Sequence, residues 1–367
     1  MLDPIIDFFS RMFELIGRGI GHFIAWLIWP FIAFRNWLRG RGWFVKIPVF
    51  VILIAIVFSY GYLIYITQFW SIGDPNYPER YAFQTEYGAA GSKDENGTCH
   101  RSAMVQVAAD LIDKNVIQEH WVPSNPLSKA GFLFFIDWKD TPFFDNKAAF
   151  QLGINQAVRR TAVELVDRLG RVRGTSSINS NLQDAREAAN YREDAWIFTF
   201  SPPFLQPSTQ AKLRDARKSL LAFNQELQGC KAEFDARADN LLEFFDRVTA
   251  DIGSTSEILQ RRMEQSNFTG FDARADDRFW FTFGQLYGYY GILSAARSDF
   301  RDIVAQRNLE AIWDRVDEQL QDALTVRPPF VANGSASSLV KSHLESIGFD
   351  LLRVRSNLVE MRDVLAR

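Results

Sequence analysis

IPVFVILIAIVFSYGYLIYI, residues 47–66, is a run of twenty residues without a charge. At about 1.5 Å of rise per residue it makes a helix of about 30 Å, the thickness of a bilayer's hydrocarbon core. The core helix of a soluble protein seldom stays apolar on every face over that length, so the run predicts a membrane-spanning helix. A cleaved signal peptide has a shorter apolar region and a small-residue cleavage site. Here Thr67, Gln68, Phe69 and Trp70 follow instead, and the span reads as a signal anchor that stays.

The charges on either side set the expected orientation. Residues 1–46 hold six Lys or Arg against three acids, and the other 35 bases and 41 acids all follow the span. The positive-inside bias predicts a cytoplasmic N-terminus and a large acidic body on the far side. That acidic balance argues against nucleic acid as a partner. Within the leg, Asp3, Asp7, Arg11, Glu14 and Arg18 fall on one helical stripe opposite a wide apolar face, which predicts an interfacial helix. Residues 19–34 carry no charge if His22 is neutral, and they include Trp26, Trp29 and Pro30. Sixteen residues are short for a span, so this part reads as interfacial or re-entrant; a second span is the alternative. The domain plan is therefore a membrane-surface segment over 1–46, the span over 47–66, a linker and loop over 67–101, and a helical domain over 102–367.

The expected fold class is all-α, a multi-helix bundle behind the membrane segments. Ser102 is placed to cap a helix that buries Met104, Val107, Ala108, Leu111 and Ile112. Apolar residues then recur every three or four positions through residues 154–172, 213–252, 279–293 and 309–324, with a break near Asn308. Ser180 with Gln183, and Ser254 with Glu257, match the capping-box pattern for helix starts. FDARADN at 234–240 and FDARADD at 271–277 repeat with an offset of 37 residues, as a shared helix-entry signal would. The last helix carries Val340, Leu344, Ile347, Leu351, Val354, Leu358, Met361 and Leu365 in an alternating 4, 3 spacing. Packing within an antiparallel bundle is the reading adopted, because Phe349, Leu352, Val359 and Val364 widen the face; a parallel coiled coil with a second subunit is the alternative.

Two cysteines serve the chain, Cys99 and Cys230, both beyond the span. An oxidising compartment would permit a disulfide between them, while two free buried thiols are the other outcome. Four scattered histidines, and no HExxH, P-loop, GxSxG or GxGxxG pattern, lead to no metal and no cofactor being expected. Catalysis by paired carboxylates needs no motif, and the balance still lies against an enzyme. The candidate binding residues lie in the irregular aromatic stretch over 120–153: Trp121, Asn125, Asp137, Trp138, Asp145, Asn146 and Gln151. Polar groups among aromatics and prolines suit a recognition pocket, although such residues also pin and cap irregular chain.

WVPSN at 121–125, Asp145 with Asn146, the run Phe150, Gln151 and Gly153, RADNL at 237–241, Asn333 with Gly334, and His343 with Leu344 carry a resemblance. In these residues the chain resembles a family of uncharacterised bacterial inner-membrane proteins known only as a domain of unknown function. The resemblance implies a bacterial inner-membrane protein with a periplasmic body, and it lends no reaction or ligand. The function expected is a non-enzymatic binding or assembly component of the envelope, with the membrane and another envelope protein or a second copy as partners. The thirty-two Phe residues keep open a binder of a lipid or other apolar ligand. A cell-wall or lipid hydrolase using acids such as Asp137 and Asp145 is the third alternative.

Overall fold

A computed structural model describes residues 3–95, 97–131, 141, 144–170, 178–199, 201–272, 274–335, 337, 338 and 340–367. Among them the chain is all-α, with only isolated β-bridges besides its helices. In chain order the helices are α1 (Asp3–Arg39), α2 (Trp43–Gln68), α3 (Phe83–Glu86), α4 (Ala103–Ile112), α5 (Pro126–Ala130), α6 (Asn146–Glu164), α7 (Ser180–Ala189), α8 (Thr209–Gln228), α9 (Ala238–Met263), α10 (Ala275–Asp299), α11 (Arg301–Gln306), α12 (Glu310–Thr325) and α13 (His343–Leu365). The contacts divide them into two compact units, residues 1–62 and 63–367.

The first unit comprises α1 and most of α2. α1 runs through residues 19–34 and through Pro30 without a break, so the reversal that a re-entrant segment needs is not seen there. Large apolar side chains from Phe23 to Phe34 stand exposed, and the Arg41 guanidinium lies 5.2 Å over the Trp37 ring. α2 is the one helix among the described residues long and apolar enough to cross a membrane, and most of its surface is unburied.

In the second unit α10 is the central element. Nearly every residue from Phe279 to Ala296 is buried, because this helix has no polar face and meets neighbours all round, namely α4, α6, α9, α12 and α13. Its most extensive partner is α6. Gly153 and Gly284 explain how the two approach: a Cβ at Gly153 would collide with the Phe281 carbonyl, and one at Gly284 with the Phe150 carbonyl. Only residues without a side chain allow backbones so near. A buried polar network ties the same pair to α9. Arg160 makes two bonds to Asp251, of 3.1 and 2.7 Å, and the Tyr289 hydroxyl donates to the same carboxylate at 2.7 Å. The charge thus enters the interior paired and hydrogen-bonded.

Helix starts follow local chemistry. Ser102 caps α4, its hydroxyl accepting from Val105 N, as expected. Asp299, at the end of α10, reinforces that start by accepting from Ser102 Oγ at 2.6 Å, Ala103 N at 2.7 Å and Met104 N at 3.0 Å. The FDARAD echo is a helix-entry signal, with Arg237 and Arg274 both standing at the N-cap. Two expected starts are corrected. α7 is capped by Asn179, whose side-chain Oδ1 accepts from Asn181 N and Leu182 N, so Ser180 is already inside the helix. Ser254 lies within α9, which does not pause there because Ile252, Thr255 and Leu259 continue its buried face. The chain does break at Asn308, with φ of 52°, between α11 and α12.

The seam of α13 is buried within the chain from Leu344 to Leu365, against α9, α10 and α12. Val340 precedes the helix, and Phe349 and Leu352 are exposed, so they do not widen the packed face as expected. Residues 67–101 are not a detached linker. Tyr77, Tyr87 and Ala90 are buried, Tyr77 stacks on Tyr287 at 4.4 Å, and Ala90 N donates to Asp299 O at 3.2 Å. Cys99 and Cys230 are disulfide-bonded, with Cα atoms 5.3 Å apart, and so join this segment to the end of α8.

Candidate functional site

The residues singled out over 120–153 do not converge on one pocket. Trp121 is buried and donates through Nε1 to the Glu193 carbonyl at 3.1 Å. Asn125 caps the short α5 by accepting from Leu127 N at 3.0 Å. Gln151 uses its whole amide on the irregular chain before it: Nε2 donates to the Asn115 and His120 carbonyls at 2.8 and 3.0 Å, and Oε1 accepts from Val122 N at 2.9 Å. A buried amide satisfied in this way holds backbone and has little left for a ligand. Asn146 opens α6, half-buried. Asp137 and Trp138 lie outside the described residues.

Asp145 belongs to a different group, a carboxylate cluster with Asp276 and Asp277 of α10. Burial is the main cause that pushes the Asp145 carboxyl up to about 10, and the nearby charges of Asp277 and Asp276 add to it. Asp276 is raised to about 7, again by burial first and Asp277 second. Burial and like charges favour the protonated form, so Asp145 keeps its proton at neutral pH.

The site that sequence reasoning missed lies just after α2. Lys147, the second residue of α6, is 2 % exposed and donates to the Ile66 carbonyl at 2.9 Å. Its ammonium is 3.5 Å from Glu119, whose other oxygen accepts from Ser71 N at 3.0 Å. A cation on the unpaired carbonyls of a helix's last turn satisfies them and complements the helix dipole. Beside this clasp opens a cavity of about 390 Å³, lined by Ser71, Tyr77, Arg80, Asp110, Lys114 and Tyr287 among others. Lys114 donates to the Ser71 carbonyl at 3.2 Å and stands 5.8 Å over the Tyr287 ring. Nearby, Arg327 donates to the Gly73 carbonyl at 2.8 Å. The cavity draws on residues 71–81, the stretch 110–119 and α10, and no one segment announces it.

A second, larger groove of about 880 Å³ runs between residues 78–85 and α10 to α12. Its arginines are engaged: Arg297 pairs with Asp314 and Asp317, and Arg301 donates to the Phe83 and Tyr87 carbonyls. Among the described residues no group of three or more His, Cys, Asp or Glu side chains has the geometry to hold a metal ion.

Other residues of the resemblance act within the fold. Asn240 donates to the Asp235 carbonyl at 2.9 Å, Asn333 to Arg262 O at 3.0 Å, and His343 Nδ1 accepts from Ala332 N at 3.0 Å. No curated protein and no solved structure matches the chain. The profile of one bacterial family, described as "uncharacterized protein conserved in bacteria" (DUF2333), matches residues 39–273, which takes in α2, the clasp around Lys147 and the helices through α9. By that match the chain belongs to this family of uncharacterized proteins conserved in bacteria.

Proposed function

We propose that the protein is a membrane-anchored envelope component whose helical body lies in the periplasm and works by binding, either to another envelope protein or to its own copy. The observation that carries this reading is α2: a 26-residue helix with its apolar surface mostly unburied, whose last turn, from Leu63, is built into the body's own compact unit. Exposing so much apolar surface to water is unfavourable, and a bilayer removes that cost. The basic residues before the span favour a cytoplasmic N-terminus. The Cys99–Cys230 disulfide suits an oxidising compartment for the body.

Two measurements test this. After an alkaline carbonate wash the full chain should stay with sedimented membranes and leave them only in detergent; release by carbonate alone would contradict anchoring. Crosslinking in intact cells should then give discrete adducts with an envelope protein or a second copy. Only monomer, at every crosslinker length, would contradict a binding role.

A further inference from the structure

The cavity beside the end of α2 contains an imbalance that the fold alone does not resolve. Lys114 is an ammonium with three donors, of which the Ser71 carbonyl takes one. Among the described residues no carboxylate comes within 4.0 Å of Lys114 or of Arg327. The acids nearby are already engaged. Asp74 is paired with Arg80 at 2.6 Å, Glu119 serves Lys147 and Ser71 N, and Asp110 accepts from Gln106 at 3.0 Å. Burial lowers the pKa of Lys114; Glu119 opposes the shift, and the positive charges of Arg80 and Arg327 add to it. The lining holds Asp74, Asp110 and Glu119 with Arg80 and Lys114. Arg80 and the adjoining Lys147 take up Asp74 and Glu119, which leaves Lys114, among the described residues, as the lining cation without a carboxylate partner, and an incoming anion would stabilise it.

Position identifies the chemistry of that anion. Ser71, Gly73 and Asp74 line the cavity, and they follow the last residue of α2, Gln68, by three to six positions. If α2 spans the bilayer, this is the level of the phospholipid headgroups. The tyrosines Tyr77, Tyr81 and Tyr287 are of the amphipathic type found at that level. Ammonium and guanidinium groups are the usual partners of phosphate oxygens.

We propose that this cavity binds a phosphate group on Lys114, with Arg80 and Arg327 at its edge, and that the phosphate is that of a membrane phospholipid. The lipid source rests on the anchoring reading above; the phosphate site does not. The test uses the full chain in a phosphorus-free detergent, titrated calorimetrically with short-chain phosphatidylglycerol and, separately, with inorganic phosphate. The wild type should bind the lipid, Lys114→Gln should bind it at least about tenfold more weakly, and Lys114→Arg and the remote control Lys231→Gln should bind like the wild type. Binding of inorganic phosphate alone, lost in Lys114→Gln, would retain the site and overturn the lipid as its source. Lipid and phosphate both failing to bind, or Lys114→Gln binding as tightly as wild type, would overturn the proposal. Should Lys114→Gln not fold, Arg327→Gln, at an exposed position, must weaken binding in its place. The titration is done in detergent, so it can fail while anchoring holds, and carbonate extraction can fail while the titration succeeds.

Discussion

The ammonium of Lys147 donates to the main-chain carbonyl of Ile66 at 2.9 Å, so the start of α6 closes the end of α2. The contact is buried, and the only carboxylate beside it among the described residues is Glu119. Replacing Lys147 by Met keeps much of the volume but leaves the Ile66 carbonyl without this donor and Glu119 without this cation. Loss of one partner of a buried pair typically costs about 3 to 5 kcal/mol. Thermal unfolding of the detergent-solubilised Lys147→Met protein should show a marked drop in Tm, and Glu119→Gln a smaller one. An unchanged Tm in Lys147→Met would contradict the clasp.

Two glycines give predictions of opposite sign. Gly284→Ala places a methyl group against the Phe150 backbone, where neither helix can yield without moving α6 from α10, and should destabilise the body by about 1 to 3 kcal/mol. Gly253 lies in mid-helix in α9, and its added Cβ would meet only the side-chain end of exposed Arg355 at 3.3 Å. Gly253→Ala should therefore stabilise, by up to about 1 kcal/mol, through helix propensity and a less flexible unfolded chain. Chemical denaturation of both variants beside the wild type checks the pair of signs.

The carboxylate cluster predicts a pH dependence. Asp145 has its pKa raised to about 10 in the folded protein, against 3.8 ordinarily. Below the ordinary value both states hold the proton, and this group adds no pH dependence. As pH rises above it, the unfolded chain releases a proton that the folded protein retains, and stability falls. Asp145→Asn removes that loss. The advantage of the variant should grow from pH 4 to pH 7, by up to about 1.4 kcal/mol per pH unit. Parallel stability profiles would show that Asp145 ionises normally.

The disulfide closes a loop with a sequence separation of 131. In the chain-entropy account such a closure stabilises by about 4 to 5 kcal/mol, less any strain in the native state. Cys99→Ser with Cys230→Ser should lower Tm sharply, and the wild type should run differently on reducing and non-reducing gels. Equal mobility, with both thiols open to alkylation after denaturation, would refute the bond.

The sequence was most readable where one local rule acted alone. A charge-free run marked α2, a serine before apolar spacing marked α4, and the 4, 3 spacing marked the buried stripe of α13. It misled where two residues competed for one role. Asn179 and Ser180 both suit an N-cap, and Ser254 with Glu257 imitates a start inside a helix that tertiary packing carries onward. The apolar spacing over 279–293 marked α10 as a helix but not its central position, because a helix buried on every side has no polar face to set one stripe apart. The candidate site was legible only in part. Polar residues among aromatics drew attention to Gln151 and Trp121, whose partners prove to be main-chain groups. Lys114, Lys147 and Tyr287 become neighbours of the linker only through long-range folding, which no local pattern encodes.

In the proposed topology α2 crosses the membrane and carries the body to the far side. The most direct measurement fuses alkaline phosphatase, or alternatively green fluorescent protein, after Arg367 in a bacterial host. High phosphatase activity and no fluorescence are expected, because the phosphatase needs the oxidising periplasm and ordinary green fluorescent protein does not mature there. Fluorescent cells with inactive phosphatase would place the body in the cytoplasm and contradict that topology.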